Sequence, residues 1–203
     1  MLYTEIQNTI ARIDVHTISK ERKMVLQPLV DYVQEKVNKN SEIRLNFICT
    51  HNSRRSHLGQ VWAQTLAKHH GVSITSYSGG TEATALFSAA KNTLVNAGFQ
   101  VQQLSESNNP VYAISYSEND APIIGFSKTF DDAFNPSSEF AAILTCSQAD
   151  EGCPFIAGAE KRIPITYIDP KAFDNTPQQE EKYAERSLQI ATEMSYVFGS
   201  VKH

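Results

Sequence analysis

The stretch Ile43-Arg-Leu-Asn-Phe-Ile-Cys-Thr-His-Asn-Ser-Arg-Arg-Ser56 joins an apolar segment of β-favouring residues to a short polar loop. Cys49 begins the loop, Arg55 follows six positions later, and an amphipathic helical pattern begins at Ser56. In a strand–loop–helix unit of this kind, the backbone N–H groups of the loop and of the helix N-terminus form a concave site for a tetrahedral anion. The guanidinium of Arg55 adds a planar, two-pronged donor, and the same positive field favours Cys49 as a thiolate. The sequence therefore predicts a nucleophile aimed at a bound oxyanion.

The loop itself supplies the candidate oxyanion-binding residues. Asn52 suits a left-handed backbone conformation and side-chain bonds that hold the loop open. Ser56 is placed to donate a hydrogen bond to the Cys49 thiolate. His51 and His57 fit solvated positions better than catalytic ones, although a protonated His51 would add positive charge. The alternative for Cys49 is a buried cysteine at the end of a core strand. The candidate oxyanion-binding residues are Thr50, His51, Asn52, Ser53, Arg54, Arg55 and Ser56.

Length and composition are those of an ordinary soluble globular protein. The chain has 203 residues, of which 41% are hydrophobic and 20% charged. A net charge of −4 argues against nucleic acid as a partner, because binding to a phosphate backbone needs clustered Lys and Arg. No apolar run approaches the ~20 residues of a membrane span, and no secretory signal is visible at the N-terminus. Three cysteines are too few for a secreted disulfide scaffold, so reduced thiols and a cytoplasmic location are expected.

The chain divides into a helical N-terminal part and a main domain. Residues 1–40 carry apolar residues at helical spacing, and Pro28 predicts a kink or a helix start just before it. We interpret them as an N-terminal helical extension packed on the main domain or on a partner. Residues 41–203 form the main domain, with an insertion at about residues 105–136 whose pattern predicts a β-hairpin-like excursion.

From Ser41 onward, strands alternate with helices, which predicts an α/β fold with a right-handed βαβ sheet and helices on both faces. Ser78-Gly79-Gly80 predicts a turn that lets two backbones approach closely. The expected strands are 43–48, 72–77, 100–104, 140–145 and 163–168, and the expected helices are 56–70, 88–97 and 177–198.

Three chemically potent groups follow predicted strands, namely Cys49, Cys146 and Asp169. Ligands of parallel sheets bind beyond the carboxyl ends of the strands, so we expect these groups to meet at one edge. Asp169 either caps a turn before Pro170 or acts as the acid that protonates the leaving oxygen of a bound oxyanion. Asp174 is a less well placed competitor for that role.

Cys146 and Cys153 are separated by six residues, more than the spacing of about two to four residues in a zinc hook. Two interpretations remain open. The pair is unreactive, or it forms a thiol relay in which a second thiol attacks an adduct of Cys49 and a third resolves the disulfide.

These segments together resemble a known family. Cys49-Thr-His-Asn-Ser-Arg-Arg-Ser56 resembles the active loop of low-molecular-weight protein tyrosine phosphatases, and it is closer still to that of thioredoxin-coupled arsenate reductases. Leu144-Thr-Cys-Ser-Gln-Ala-Asp-Glu-Gly-Cys-Pro-Phe155 resembles the redox segment of the reductases. Asp169-Pro170 is similar to the general-acid loop, and Ser78-Gly79-Gly80-Thr81 to the segment after the second strand. The resemblance covers about residues 43–198, excluding much of 105–136.

The resemblance implies a three-layer fold with a four-stranded parallel sheet, and it implies the roles of the site residues. Cys49 would attack arsenate, Arg55 and the loop amides would bind its oxygens, and Asp169 would protonate the departing hydroxyl. Cys146 would then attack Cys49 and expel arsenite, and Cys153 would take over the disulfide for a thioredoxin-like reductant. Such reductases have no dissociable organic cofactor, and some bind potassium beside the loop.

Three positions depart from the family pattern. His51 stands where the family usually has Gly, which predicts a reshaped or more cationic loop. Arg54 adds a second guanidinium near the mouth of the site. Gln60 replaces a residue that is often Glu, which weakens a potassium site made of Asn52, Gln60 and Ser78.

Two further functions stay open beside the arsenate reductase. The first is a phosphatase for phosphotyrosine or a small phosphomonoester, which would use only Cys49, Arg55 and Asp169. The second is a non-enzymatic oxyanion- or redox-sensing module whose N-terminal helices bind a protein partner.

Overall fold

The computed structural model describes residues 1–152 and 155–202. Strands and helices alternate along most of the chain, as the sequence pattern predicts. The strands are β1 (Arg44–Cys49), β2 (Thr75–Gly80), β3 (Gln100–Gln103), β4 (Tyr112–Ser115), β5 (Ile123–Gly125), β6 (Phe140–Leu144) and β7 (Ala159–Pro164). The helices are α1 (Thr4–Ile10), α2 (Lys20–Asn38), α3 (Arg55–His69), α4 (Ser88–Asn96), α5 (Ser147–Gly152) and α6 (Gln179–Gly199), with 3-10 turns at Val15–Thr17 and Pro170–Phe173.

A parallel sheet of four strands, in the order β2–β1–β6–β7, forms the centre of the described structure. Side chains alternate between its two faces, as the pleat requires. Leu45 and Phe47 of β1 enter a large apolar core that the long helices cover, whereas Ile48 enters a smaller core with Ala149 of α5. Helices thus lie on both faces of the sheet, and the expected α/β architecture is confirmed. The central strand β1 carries the loop that begins at Cys49.

The segment before residue 105 departs from the predicted rhythm. β3 pairs antiparallel with β4, and β4 with β5, so these strands form a sheet of their own among the described residues. The hairpin expected within residues 105–136 is the β4–β5 pair. The strand expected at 100–104 joins this hairpin and not the parallel sheet. Its polar residues explain the choice, because Gln100, Gln102 and Gln103 are exposed and a buried parallel strand needs apolar residues.

Strand β2 of the parallel sheet is displaced from its predicted position at residues 72–77. β2 begins at Thr75 and includes Ser78-Gly79-Gly80, which was expected to be a turn. It pairs in register with the whole of β1, from Arg44 to Cys49. The two glycines still permit close approach, since a Cβ on Gly80 would lie 2.6 Å from the Thr50 carbonyl oxygen and one on Gly79 2.4 Å from the Phe130 Cα.

The N-terminal helices pack into the large core with the sheet. Ile6 of α1 and Leu26, Leu29 and Val33 of α2 are fully buried there. Pro28 lies inside α2, which begins at Lys20 under a Ser19 cap, so the proline does not mark a helix start. Within the described residues, no helix combines the length and the apolar character needed to span a membrane.

Candidate active site

Cys49 ends β1 and lies almost wholly buried beneath the loop, with 4% of its surface exposed. Its Sγ is 3.1 Å from the Ser56 Oγ, and the Asn52 Nδ2 donates to that same oxygen at 2.8 Å. Because Ser56 already accepts from Asn52, its own hydroxyl proton is available to the sulfur. Asn52 adopts the left-handed conformation expected from the sequence, with φ of 43°. The local residues of the motif therefore form a chain of contacts from Asn52 through Ser56 to the Cys49 sulfur.

The loop carbonyls are bound from outside by neighbouring segments. Thr81 and Glu82 donate to the carbonyls of Cys49 and Thr50, Ser127 and Thr84 to that of His51, and Phe87 to that of Ser53. Within the described part of the chain, the backbone N–H groups of residues 50–54 have no acceptor. The first N–H groups of α3 also lack intrahelical partners, as at any helix start. Carbonyls turned out and amides left free are the arrangement that binds an anion.

Arg55 opens α3 and points toward the residues that follow β7. Its Nη1 donates to the Tyr167 carbonyl oxygen at 2.9 Å, and its Nη2 contacts the Asp169 carboxylate at 2.5 Å. The Nε of Arg55 is buried without a partner in the described structure. Asp169 also caps the following 3-10 turn by accepting from the Lys171 N–H. The turn-capping interpretation of Asp169 is therefore confirmed, whereas its role as an acid stays a prediction. One donor of Arg55 remains available to an anion.

Cys146 follows β6 and lies next to the loop. Its Sγ is 3.5 Å from the Thr50 Oγ1 and accepts from the Ala149 N–H at 3.3 Å. Cys146 is only 2% exposed. A cavity of about 470 Å³ is lined by Arg55, Cys146, Ser147, Gln148, Thr166, Tyr167, Ile168 and Asp169. Groups from three predicted strand ends therefore meet at one edge of the sheet. Cys153 lies outside the described residues.

The side chain of Arg54 does not reach the mouth of the site, contrary to expectation. Its Nε donates to the Tyr183 hydroxyl and its Nη2 to the Asp174 carboxylate, both at 2.6 Å, and it stacks on the Phe87 ring. The Asp174 carboxylate, the competitor of Asp169 in the sequence analysis, therefore forms an ion pair with Arg54. His51 is partly exposed and lies 3.8 Å from the Glu82 carboxylate. Arg54 and His51 therefore contribute backbone, and not a second guanidinium, to the cradle.

His57 is a correction to the sequence-based interpretation, because it is fully buried and not on the helix surface. Its Nε2 is 3.0 Å from the Asn52 carbonyl oxygen and its Nδ1 is 3.3 Å from the Ser78 Oγ. Burial, together with the nearby charge of Lys128, lowers the pKa of His57 to about 3. The neutral His57 ring therefore links the loop to β2 through these two contacts.

The three residues expected to hold potassium do not fit that ion. The Asn52 Oδ1 accepts from the Lys128 N–H at 2.9 Å, and the Ser78 Oγ contacts His57. The Gln60 Oε1 is buried and unpartnered in the described structure, while its Nε2 donates to the Ser76 carbonyl oxygen. One free amide oxygen cannot replace the hydration shell of a potassium ion.

Two residues of the site carry no local signal in the sequence. Tyr167 holds Arg55 through its backbone carbonyl, and Lys128 holds Asn52 through its backbone N–H. Both lie far from the loop along the chain, and backbone contacts leave no residue-type pattern.

The fold just described is that of low-molecular-weight phosphatase and arsenate reductase structures. An arsenate reductase in the phosphate-binding state is 17% identical with a TM-score of 0.51, over 79% of this chain and 99% of that chain. A low-molecular-weight protein tyrosine phosphatase from T. tengcongensis is 16% identical with a TM-score of 0.51, over 79% and 100% of the two chains. One from Bacillus subtilis is 12% identical with a TM-score of 0.52, over 77% and 97%. None of the protein-family models and none of the curated proteins matches the sequence. The likeness establishes the fold.

Proposed function

We propose that this protein reduces arsenate to arsenite with Cys49 as nucleophile and with Cys146 and Cys153 as a disulfide relay. The observation that carries the proposal is the position of Cys146. Its sulfur touches Thr50, the neighbour of Cys49, and it lines the same cavity as Arg55 and Asp169. A phosphatase needs no second thiol at this place, whereas thiol–disulfide exchange requires one within reach of the nucleophile.

In the first step, the oxyanion binds to the free loop amides and to Arg55. The Cys49 thiolate, stabilised by the Ser56 hydroxyl, attacks arsenic and forms a sulfur–arsenic bond. A hydroxide leaves arsenic and departs as water once Asp169 supplies a proton. An anion in the cavity competes with Asp169 for Arg55, so binding frees the carboxyl group for that role.

In the second step, the Cys146 thiolate attacks the Cys49 sulfur. A disulfide forms, the sulfur–arsenic bond breaks, and its electron pair reduces arsenic(V) to arsenic(III), which leaves as arsenite. The Cys153 thiolate then attacks Cys146, which releases the Cys49 thiolate and leaves a Cys146–Cys153 disulfide. A dithiol reductant of the thioredoxin kind, in a reducing compartment such as the cytoplasm, restores both thiols.

A phosphatase is the second candidate, because Cys49, Arg55 and Asp169, which lie at one edge of the sheet, would suffice for it without a second thiol. The same anion cradle accepts a phosphoryl group, and Asp169 is placed to protonate an alcohol or phenol leaving group. Water would then hydrolyse the cysteinyl-phosphate. In this case Cys146 and Cys153 would be dispensable.

Substitution of the cysteines separates the two candidates. Cys146→Ser is expected to abolish thioredoxin-dependent arsenate turnover while leaving hydrolysis of an aryl phosphate within about threefold of the wild type, since no phosphatase step uses that sulfur. Cys49→Ser is expected to eliminate both activities. Unchanged arsenate turnover in Cys146→Ser would exclude the relay, and turnover by Cys49→Ser would exclude the nucleophile.

Cys153→Ser is the matched control for the relay. Without the resolving thiol, one arsenite is expected per chain, followed by a stalled Cys49–Cys146 disulfide. Quantified arsenite and peptide mapping of the non-reduced protein measure both. Multiple turnovers in Cys153→Ser, with thioredoxin as the only reductant, would contradict the order of the relay.

A further inference from the structure

The side chain of Arg54 forms a largely enclosed network with Asp174 and Tyr183. The Arg54 Nε donates to the Tyr183 hydroxyl and its Nη2 to the Asp174 Oδ2, both at 2.6 Å. The Tyr183 hydroxyl donates in turn to the Asp174 Oδ1 at 2.6 Å. The Arg54 Cζ lies 4.1 Å from the centre of the Phe87 ring. The side chains of the ion pair are only 11% and 14% exposed, so salt and water screen the attraction weakly.

This network and the Arg55–Asp169 pair hold the two ends of one short turn. Asp169 precedes the 3-10 turn Pro170–Phe173 and contacts Arg55. Asp174 follows the turn directly and contacts Arg54. The two arginines are neighbours at the start of α3. Consecutive residues of the oxyanion loop therefore anchor opposite ends of the turn that carries the proposed acid.

The two attachments respond differently to an incoming anion. Arg55 lines the cavity, and an oxyanion bound there competes with Asp169 for its guanidinium. Arg54 is not among the described residues that line this cavity, so the anion leaves its pair with Asp174 intact. Once the anion has taken Arg55, Asp169 still accepts from the Lys171 N–H, and the turn stays attached through Asp174.

We propose that Arg54 is a positioning residue, which holds the turn through Asp174 and so keeps Asp169 at the cavity when an oxyanion takes Arg55. A guanidinium suits this task because its planar fork meets a hydroxyl and a carboxylate at once, which a lysine ammonium does less well. Precise placement matters, since a displacement of about 1 Å can cost about a hundredfold in rate. This role rests on the proposed function, in which Asp169 acts as the acid.

Arg54→Met tests the proposal on two aryl phosphates that differ in their need for an acid. Phenolate is a poor leaving group and takes the Asp169 proton as it departs, whereas dinitrophenolate departs without one. We expect the ratio of kcat/KM for phenyl phosphate to kcat/KM for dinitrophenyl phosphate to fall at least about tenfold, measured on the reduced full chain. A merely structural role would lower both values in proportion, and an unchanged ratio would overturn the proposal.

Asp169→Asn shows whether Arg54 acts through the acid. This variant should lower the same ratio, and adding Arg54→Met to it should lower the ratio no further, because an absent acid cannot be misplaced. A further fall in the double variant would contradict the positioning role. Asp174→Asn, which nearly keeps the wild-type shape, should reproduce the effect of Arg54→Met, and it decides the question if Arg54→Met fails to fold.

Lys36→Met is the matched control. The Lys36 side chain is 14% exposed, forms an ion pair with Glu160 at 2.7 Å and lies 5.6 Å from the centre of the Tyr32 ring. Glu160 is near the amino end of β7, away from the strand ends that meet at the cavity. The ratio is expected to stay within about twofold of the wild type. A tenfold fall in Lys36→Met would show that loss of any enclosed cation suffices, which overturns the role of Arg54.

Limited proteolysis measures the attachment of the turn without any turnover. Trypsin cleaves after lysine, and Lys171 is exposed on the turn. In the wild type, saturating inorganic phosphate should change the initial rate of cleavage after Lys171 by less than about twofold, because Arg54 still holds the turn. In Arg54→Met, phosphate should raise that rate by about fivefold or more. An equal effect of phosphate on the two proteins would overturn the proposal.

The two kinds of failure are distinguishable. If the wild type turned over neither arsenate nor an aryl phosphate, the proposed function would fail, and proteolysis would still test the attachment of the turn. If turnover were intact while Arg54→Met changed neither the ratio nor the cleavage rate, only this inference would fail.

Discussion

His57 couples the stability of the loop to pH. Burial and the charge of Lys128 hold the pKa of its ring at about 3, against an ordinary value of 6.5. Between these values the unfolded chain binds a proton that the folded chain does not, so stability is complete above about pH 6.5 and falls as the pH is lowered. From pH 7 to pH 5 this residue alone should reduce the free energy of unfolding by about 2 kcal/mol.

Urea unfolding at the two pH values measures this loss. His57→Gln is expected to remove the contribution and to flatten the pH dependence by the same amount. His16→Gln serves as the control, because His16 is exposed, and its pH dependence should follow that of the wild type. An unchanged slope in His57→Gln would mean that the ring is protonated in the folded protein.

At the scale of single residues, the sequence was informative where the chemistry is local. The strand, the loop and the first turn of α3 are contiguous, so the contacts among Cys49, Asn52 and Ser56 follow from spacing. The position of the Arg54 side chain was predicted wrongly because its partners, Asp174 directly after the 3-10 turn and Tyr183 on α6, lie more than a hundred positions away along the chain. Lys128 was missed for the same reason, since only the folded chain brings it to the loop.

At the scale of elements, the sequence pattern predicted which segments form strands and helices, but it placed some of their first and last residues wrongly. The predicted strand at 163–168 forms earlier, at Ala159–Pro164. Its partner strand β6 ends at Leu144, so β7 has no strand to pair with beyond Pro164. Ile165 and Tyr167 remain buried, and their N–H groups still donate to Leu144 and Thr145. Alternation of apolar residues therefore marks the buried side chains correctly but cannot locate where the partner strand stops.

One ion pair joins the N-terminal helix α2 to α6 and to the cavity wall. Arg22 donates twice to the Glu193 carboxylate, both bonds at 2.8 Å, and the Tyr167 hydroxyl donates to the same carboxylate at 2.8 Å. Burial raises the pKa of Tyr167 far above its ordinary value, so it remains a donor. Because the Glu193 side chain is only 3% exposed, loss of Arg22 leaves a buried charge with less compensation.

Arg22→Met should therefore lower the free energy of unfolding by about 2–3 kcal/mol, measured by urea titration. Lys39→Met removes a cation from the exposed pair with Glu35 on the same helix, and it should cost less than about 0.5 kcal/mol. Equal losses in the two variants would mean that burial does not strengthen the Arg22–Glu193 pair.

At the scale of the whole molecule, the N-terminal helices and the sheet share one apolar core. The sequence separates residues 1–40 from the rest because their pattern is helical and the strands begin only afterwards. Periodicity, however, shows which face of a helix is apolar and not what covers it. In the structure that face meets the long helix α6 and strand β7, and Ile6, Leu26, Leu29 and Val33 are completely enclosed.

A chain beginning at residue 41 should therefore lose cooperative folding. Complete burial of a large aliphatic side chain contributes roughly 1.5–3 kcal/mol, so the four enclosed residues together contribute about as much as the whole stability of an ordinary domain. Circular dichroism during urea titration of residues 41–203 should show a broad transition, and the Cys49 thiol should react freely with an alkylating reagent. Met24→Ala on the intact chain is the control, because Met24 is exposed on the same helix, and its transition should match that of the wild type. A sharp transition of the shortened chain, at the urea midpoint of the intact chain, would instead identify residues 1–40 as a dispensable extension and leave their apolar face to a partner.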